Sequence, residues 1–159
     1  MLPGCATAPQ ATAYCSANGY AFHADFPGAA LYSCNEGKNG PELVIAPEFA
    51  PINPSPWYAY RITALQPSGS QGAVTITQRY IHGQHRYPPW IRQHGEEWKL
   101  LPADRVELAE DRSSFSYQLV VPATGVEISA QPPLGVAESQ AWAQHLANGH
   151  QLQHHELLQ

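Results

Sequence analysis

Asn53-Pro54-Ser55-Pro56-Trp57-Tyr58-Ala59-Tyr60-Arg61-Ile62 joins a stiff turn to an aromatic strand, and that order decides the class of the fold. Pro54 and Pro56 hold φ near turn and polyproline values and remove two backbone donors, so the chain must enter the next strand from an extended segment. Trp57, Tyr58 and Tyr60 then start a half-buried strand, expected over 57–65. Upstream, Tyr20, Phe22, Ala24 and Phe26 alternate with polar or small residues until Pro27-Gly28 ends the pattern. Two further short strands are expected over 31–34 and 42–46. Between them lies Asn35-Glu36-Gly37-Lys38-Asn39-Gly40, whose composition favours positive φ and a turn. Downstream, a polar stretch at 66–72 reverses the chain, and Val74, Ile76, Gln78 and Tyr80 resume the alternation. Phe115, Tyr117, Leu119 and Val121 give the clearest alternation of all, and Val126, Ile128 and Ala130 answer it across 122–125, which predicts a hairpin.

Short strands punctuated by turns predict an all-β fold, an antiparallel, jelly-roll-like β-sandwich, followed by one short C-terminal helix. The helix is expected between 133 and 149, where Trp142 and Leu146 stand four residues apart and Asn148-Gly149 supplies a stop. Three regions result: a flexible leader over 1–19, the sandwich over 20–132, and a helix with linker over 133–159. Composition agrees, with 12 glycines, 15 prolines and only 13% charged residues among 159. That length suits one domain with a single core. A formal charge of −5, with eight basic residues scattered among acids, excludes a basic face for nucleic acid or anionic lipid. No apolar run approaches the ~20 residues of a membrane span.

Leu2-Pro3-Gly4-Cys5 resembles the tail of a bacterial lipoprotein signal, in which a small residue precedes a lipidated cysteine. The charged and apolar regions that should come first are missing, so a trimmed signal and a chance match both stay open. In an exported or periplasmic protein, the reading preferred here over a cytoplasmic one, Cys5 would carry lipid. Cys15 and Cys34 could then form a disulfide, closing a loop worth roughly 3 kcal/mol. In the cytoplasm all three would be ordinary thiols.

Taken in order, several of these parts resemble the N-terminal domain of zinc metallocarboxypeptidases, specifically the cytosolic-carboxypeptidase-like subgroup of the carboxypeptidase A family. The stretch from Asn53 to Ile62 resembles its Asn-x-Ser-Pro-Trp-Tyr-x-Phe strand, with Tyr60 where Phe is more usual. Gly95-Glu96-Glu97-Trp98 is similar to its Asp-Gly-x-x-Trp hairpin, with His94 in place of the Asp. Ile128-Ser129-Ala130-Gln131-Pro132-Pro133 resembles the strand leading into the first helix of the catalytic domain, where Trp142 and Leu146 would sit. The resemblance implies a noncatalytic leader that supports folding and substrate access of a catalytic carboxypeptidase domain in cis. The parent enzyme would use zinc to polarise a peptide carbonyl and activate water, hydrolysing peptides at the C-terminus. The zinc motif would lie beyond His155-Glu156-Leu157-Leu158-Gln159, so this chain is expected to hold neither catalytic residue nor cofactor. Trp57, Tyr58, Arg61, Trp142 and Leu146 are the candidate domain-interface residues, and such an exposed interface would also permit self-association.

Other chemistry is sparse. His94-Gly95-Glu96-Glu97 matches the H-x-x-E zinc pattern literally, but it precedes Trp98 in a hairpin and lacks a downstream base and Arg, so a solvated turn is expected. His150, His154, His155 and Glu156 would gather a metal only on an ordered helix; a polar linker is the plainer reading. His82 and His85, either side of Gly83, read as loop surface residues. Ser55 has no identifiable base. The alternative function is a free-standing cell-envelope module in which Trp90 and Tyr87 contact sugar or peptide. A row of exposed aromatics would favour that module, and a bare apolar patch near 130–146 would favour a missing partner domain.

Overall fold

Period-2 alternation sorts the side chains of each strand onto two faces, and the apolar faces of two sheets close on one another. The computed structural model describes residues 14–47, 52–53, 55–66 and 72–149. The strands in chain order are β1 (Tyr14–Ala17), β2 (Tyr20–His23), β3 (Ser33–Asn35), β4 (Glu42–Ile45), β5 (Ala59–Ala64) and β6 (Val74–Tyr80). They continue with β7 (Trp90–Gln93), β8 (Lys99–Leu100), β9 (Val106–Leu108), β10 (Ser114–Leu119) and β11 (Val126–Ser129), and the helix α1 (Val136–Gly149) comes last. One sheet has the order β1-β2-β5-β11-β7-β8, and the other β3-β4-β6-β10-β9. The all-β sandwich with a C-terminal helix is therefore the observed architecture.

The inner faces meet in an aromatic core. Phe22, Tyr60, Ile62, Val126 and Ile128 come from the first sheet, and Leu43, Ile45, Ile76, Phe115, Tyr117 and Leu119 from the second. Polar atoms inside it are joined in one line. Tyr117 and Tyr60 hydroxyls lie 2.6 Å apart, Tyr60 donates to Gln78 Oε1 at 2.9 Å, Gln78 Nε2 donates to the Tyr80 hydroxyl at 3.2 Å, and Tyr80 lies 3.0 Å from His85 Nδ1. With Tyr117 and Tyr80 donating onward, each hydroxyl gives one hydrogen bond and takes what reaches it, so none of these buried groups is stranded. Burial raises the pKa of Tyr60, Tyr80 and Tyr117, keeping the phenols neutral.

Four expectations need correction. The strand Tyr14–Ala17 falls within the stretch read as leader, because pairing with β2 and the Cys15–Cys34 disulfide give a weakly patterned segment its partners. β10 and β11 do not form a hairpin: β10 pairs with β6 and β9, and β11 with β5 and β7. The turn between them, closed by Gly125 N–H donating to the Pro122 carbonyl at 2.8 Å, carries the chain from one sheet to the other. Both strands bury one face in the same core, so their alternation is identical to a hairpin's. β4 and β6 run parallel, the exception in an otherwise antiparallel set. His85 is buried, at 7% exposure, rather than a surface residue. Its ring packs at a tilt against Phe115 with centroids 4.1 Å apart, and its carbonyl accepts from the Arg112 guanidinium.

Candidate functional site

The outer face of the first sheet carries a charged row set by strand register. His23 on β2 stands opposite Arg61 on β5, Arg61 opposite Glu127 on β11, and Glu127 opposite Arg92 on β7. All four project outward because Phe22, Ile62, Val126 and Ile91, their sequence neighbours, take the inward positions. Arg92 claims the carboxylate: its Nη2 lies 2.6 Å and its Nε 2.7 Å from Glu127 Oε2. Its guanidinium also sits 4.7 Å from the Trp98 ring centroid, a cation–π contact that fixes the plane of the fork. Among the described residues Arg61 has no such partner, and its Nε is buried without a hydrogen bond. His23 Nε2 lies 3.0 Å from Thr63 Oγ1, and burial first, then the nearby Arg61 charge, holds its pKa below the usual value against an opposing pull from Asp25.

Two hollows open along this row. A cleft of about 60 Å³ is walled by Arg61, Arg92, His94 and Glu127, with Thr124 and Gly125 at its end. A groove of about 410 Å³ adjoins it, sharing Arg92 and Glu127, and is otherwise lined by Phe26, Pro27, Trp98, Pro133, Gly135 and Val136. Gly125 is required where it stands: φ is +83°, and a Cβ there would lie 2.8 Å from the Ile62 carbonyl oxygen.

The groove ends at the helix. At 100° per residue, Val136, Ser139, Trp142, Ala143 and Leu146 share one arc of α1, and Gln140, Gln144 and His145 lie off it. This stripe is largely bare: Trp142 is 63% exposed, Val136 76% and the preceding Leu134 75%. Leu146 is half-buried.

The other candidates scatter. Tyr58 is fully buried and donates to the Tyr87 carbonyl at 3.0 Å, so it has no face to offer a second domain. Trp57 is half-buried and donates from Nε1 to the Gly28 carbonyl at 2.8 Å, which ties down the turn after Phe26. His94 and Glu97 are exposed in the turn between β7 and β8, and among the described residues no group of three or more His, Cys, Asp or Glu could hold a metal. Trp90 and Tyr87 are half-buried rather than a raised aromatic row, and His82 is exposed. Ser55 N–H donates to Asn53 Oδ1 within the turn. Cys15 and Cys34 are joined in a disulfide that links β1 to β3, one edge strand from each sheet. Cys5, His150, His154, His155 and Glu156 lie outside the described residues. Among the described residues no helix is long and apolar enough to cross a membrane.

Sequence reasoning misses Arg92, Glu127 and Trp98 as parts of a site. Arg92 and Glu127 are 35 positions apart, and register alone makes them neighbours. Trp98 stands out in the sequence as a hairpin marker, with no sign that it is the surface beneath a guanidinium.

The sequence matches no protein-family model and no curated protein. Among solved structures, the chain is similar to the metallo-carboxypeptidase from Burkholderia cenocepacia, with a TM-score of 0.55 at 12% identity over 80% of this chain. The match covers 33% of that protein, so this chain spans about a third of its length. The likeness is one of fold.

Proposed function

We propose that this chain is the noncatalytic β-sandwich domain of a zinc metallocarboxypeptidase of the cytosolic-carboxypeptidase-like subgroup. It supports the folding and substrate access of a catalytic domain that follows it in the same polypeptide. The observation that carries this reading is the fold match, which takes in most of this chain but a third of a metallo-carboxypeptidase. The bare Val136 and Trp142 of α1, with Leu134 just before it, support it, since exposed apolar side chains gain stability only when something covers them. The half-buried positions of Trp90 and Tyr87 weigh against a sugar- or peptide-binding module. In this reading residues up to about 132 form the supporting body, α1 is the first element of the docking surface, and zinc belongs to the catalytic domain. The Cys15–Cys34 bond supports an exported or periplasmic location, where disulfides persist.

The test compares the 159-residue chain with the longest natural polypeptide that contains it. Zinc content and release of C-terminal residues from free and C-terminally blocked peptides are measured for both. Chelator-sensitive hydrolysis of free peptides by the longer polypeptide alone is the expected result. Stoichiometric zinc and hydrolysis in the short chain, lost on mutating His94 or Glu97, would overturn it.

A further inference from the structure

β1 is fastened to the second sheet at two points, and the two are chemically unlike. At its turn, Asn18 and Gly19 take φ of 49° and 80°, the left-handed pair of a two-residue hairpin closed by Ala17 and Tyr20. Asn18 Nδ2 donates to the Gly37 carbonyl at 3.1 Å, Asn18 Oδ1 accepts from Gly37 N–H at 3.0 Å, and Asn18 N–H donates to Glu36 Oε2 at 2.8 Å. These bonds clasp the β1–β2 turn to the turn between β3 and β4. Toward the other end of β1, the Cys15–Cys34 bond joins the strands themselves. Cys15 and Ala17 are the inward side chains described on β1, Cys34 is the inward one on β3, and both strands stand at sheet edges. One alanine methyl buries too little apolar surface to hold an edge strand, and ladder bonds to β2 can be exchanged for bonds to water.

We propose that the Cys15–Cys34 bond is a redox latch on a hinged edge strand. Cut by a dithiol, it frees the Tyr14–Ser16 part of β1 to leave β2, while the Asn18 clasp keeps the turn in place as the hinge. Both cysteines are half-buried, at the rim of the core rather than inside it, and access governs the rate of thiol exchange. One thiolate of the dithiol attacks one sulfur and forms a mixed disulfide, and the other cysteine leaves as a thiolate that takes a proton. The second thiol of the reductant then closes on the first and releases the remaining cysteine. Two electrons have passed: the chain holds two thiols and the reductant one disulfide. Leu65 N–H donates to the Gly19 carbonyl at 2.9 Å, and alternation from that pair turns the Ala21 amide toward β5 and the Phe22 amide toward β1. Release of β1 therefore leaves Phe22 N–H and C=O on an open strand edge, a template for an added strand. The device lies within the sandwich and does not depend on what covers the helix.

The test is amide hydrogen exchange of the purified chain before and after dithiothreitol. The readout is the ratio of exchange at Phe22 to exchange at Ala21, each relative to its unprotected rate. A loss of global stability speeds both amides together, so the ratio reports release of β1 alone. It is expected to lie within about tenfold of unity in the oxidised chain and to rise about a hundredfold on reduction. Tyr20 N–H, which the register turns toward Ala17 beside the clasp, should stay with Ala21. Cys15→Ser with Cys34→Ser should reproduce the rise without reductant. Asn18→Gly keeps the backbone conformation and removes the two side-chain bonds; it should leave the oxidised ratio unchanged and, once reduced, let Tyr20 exchange along with Phe22. A ratio that does not move on complete reduction, a bond that dithiothreitol cannot cut without urea, or loss of all protection at Ala21 together with Phe22 overturns the latch. Release of Tyr20 along with Phe22 in the reduced, unsubstituted chain overturns the hinge.

Discussion

The interior of the sandwich and the outer face of its first sheet are built from the same strands, yet they are finished to different degrees. Inside, Tyr60, Gln78 and Tyr117 are fully buried and every hydroxyl of the line to His85 has a partner. Outside, Arg61 keeps an unsatisfied Nε, and Trp142 and Val136 stand in solvent at the end of a groove. The inner face is complete with what this chain supplies; the outer side leaves one buried donor without an acceptor among the described residues and apolar side chains in solvent. Stability therefore belongs to the interior.

The largest expected effect breaks the interior. Tyr60→Ala leaves a cavity and strands Gln78 Oε1 and the Tyr117 hydroxyl, and should cost about 3–5 kcal/mol in urea unfolding. Reduction of Cys15–Cys34 comes next, at about 3 kcal/mol, read as the difference in urea midpoint with and without reductant. A loss near zero would mean that β1 and β3 stay docked without the bond. Third is pH. Burial first, then the Arg112 charge, depresses the His85 pKa from 6.5 to about 4. Above pH 6.5 the imidazole is neutral in both states and the stability is whole. As pH falls from 6.5 toward 4, the unfolded chain takes up a proton that the folded chain refuses, and roughly 3 kcal/mol is lost. His85→Gln, which keeps a side chain able to accept from Tyr80 but cannot ionise, should flatten Tm against pH within that window. The smallest effect falls outside: Trp142→Gln should change stability by less than about 0.5 kcal/mol while lowering the binding of an apolar dye. A cost like that of Tyr60→Ala would erase the distinction between the two faces.

The fold is more legible than the site, for a physical reason. Alternation reports which residues of a strand are buried, so Tyr20 and Phe22, Val74 to Tyr80, and Phe115 to Leu119 can be read one residue at a time. It does not report which strand lies beside which. The β10 and β11 alternation is the same whether the chain turns back in one sheet or crosses to the other, and the parallel β4–β6 pair leaves no trace in composition. The charged row depends on that pairing alone. Arg61 stands out in the sequence with Trp57 and Tyr58 because it shares their segment, but its lack of a partner follows from Arg92 reaching Glu127 first. His85 reads as a loop residue because its neighbours Gly83 and Gln84 are exposed, and only the tertiary contact with Phe115 and Tyr80 buries it.

The parallel pairing of β4 and β6 also governs the order in which the chain can assemble. These strands sit side by side, but the segment between them crosses to the opposite sheet to lay down β5, and the other neighbour of β6 is β10, more than thirty residues later. No local zipper can finish the second sheet. β4 waits, paired only with β3, until β6 arrives, and β6 keeps one open edge until β10 is made. Long-range closures of this kind slow folding to milliseconds or longer, and during synthesis the ribosome releases an unfinished sheet edge that must find its later partner before it finds another copy of itself.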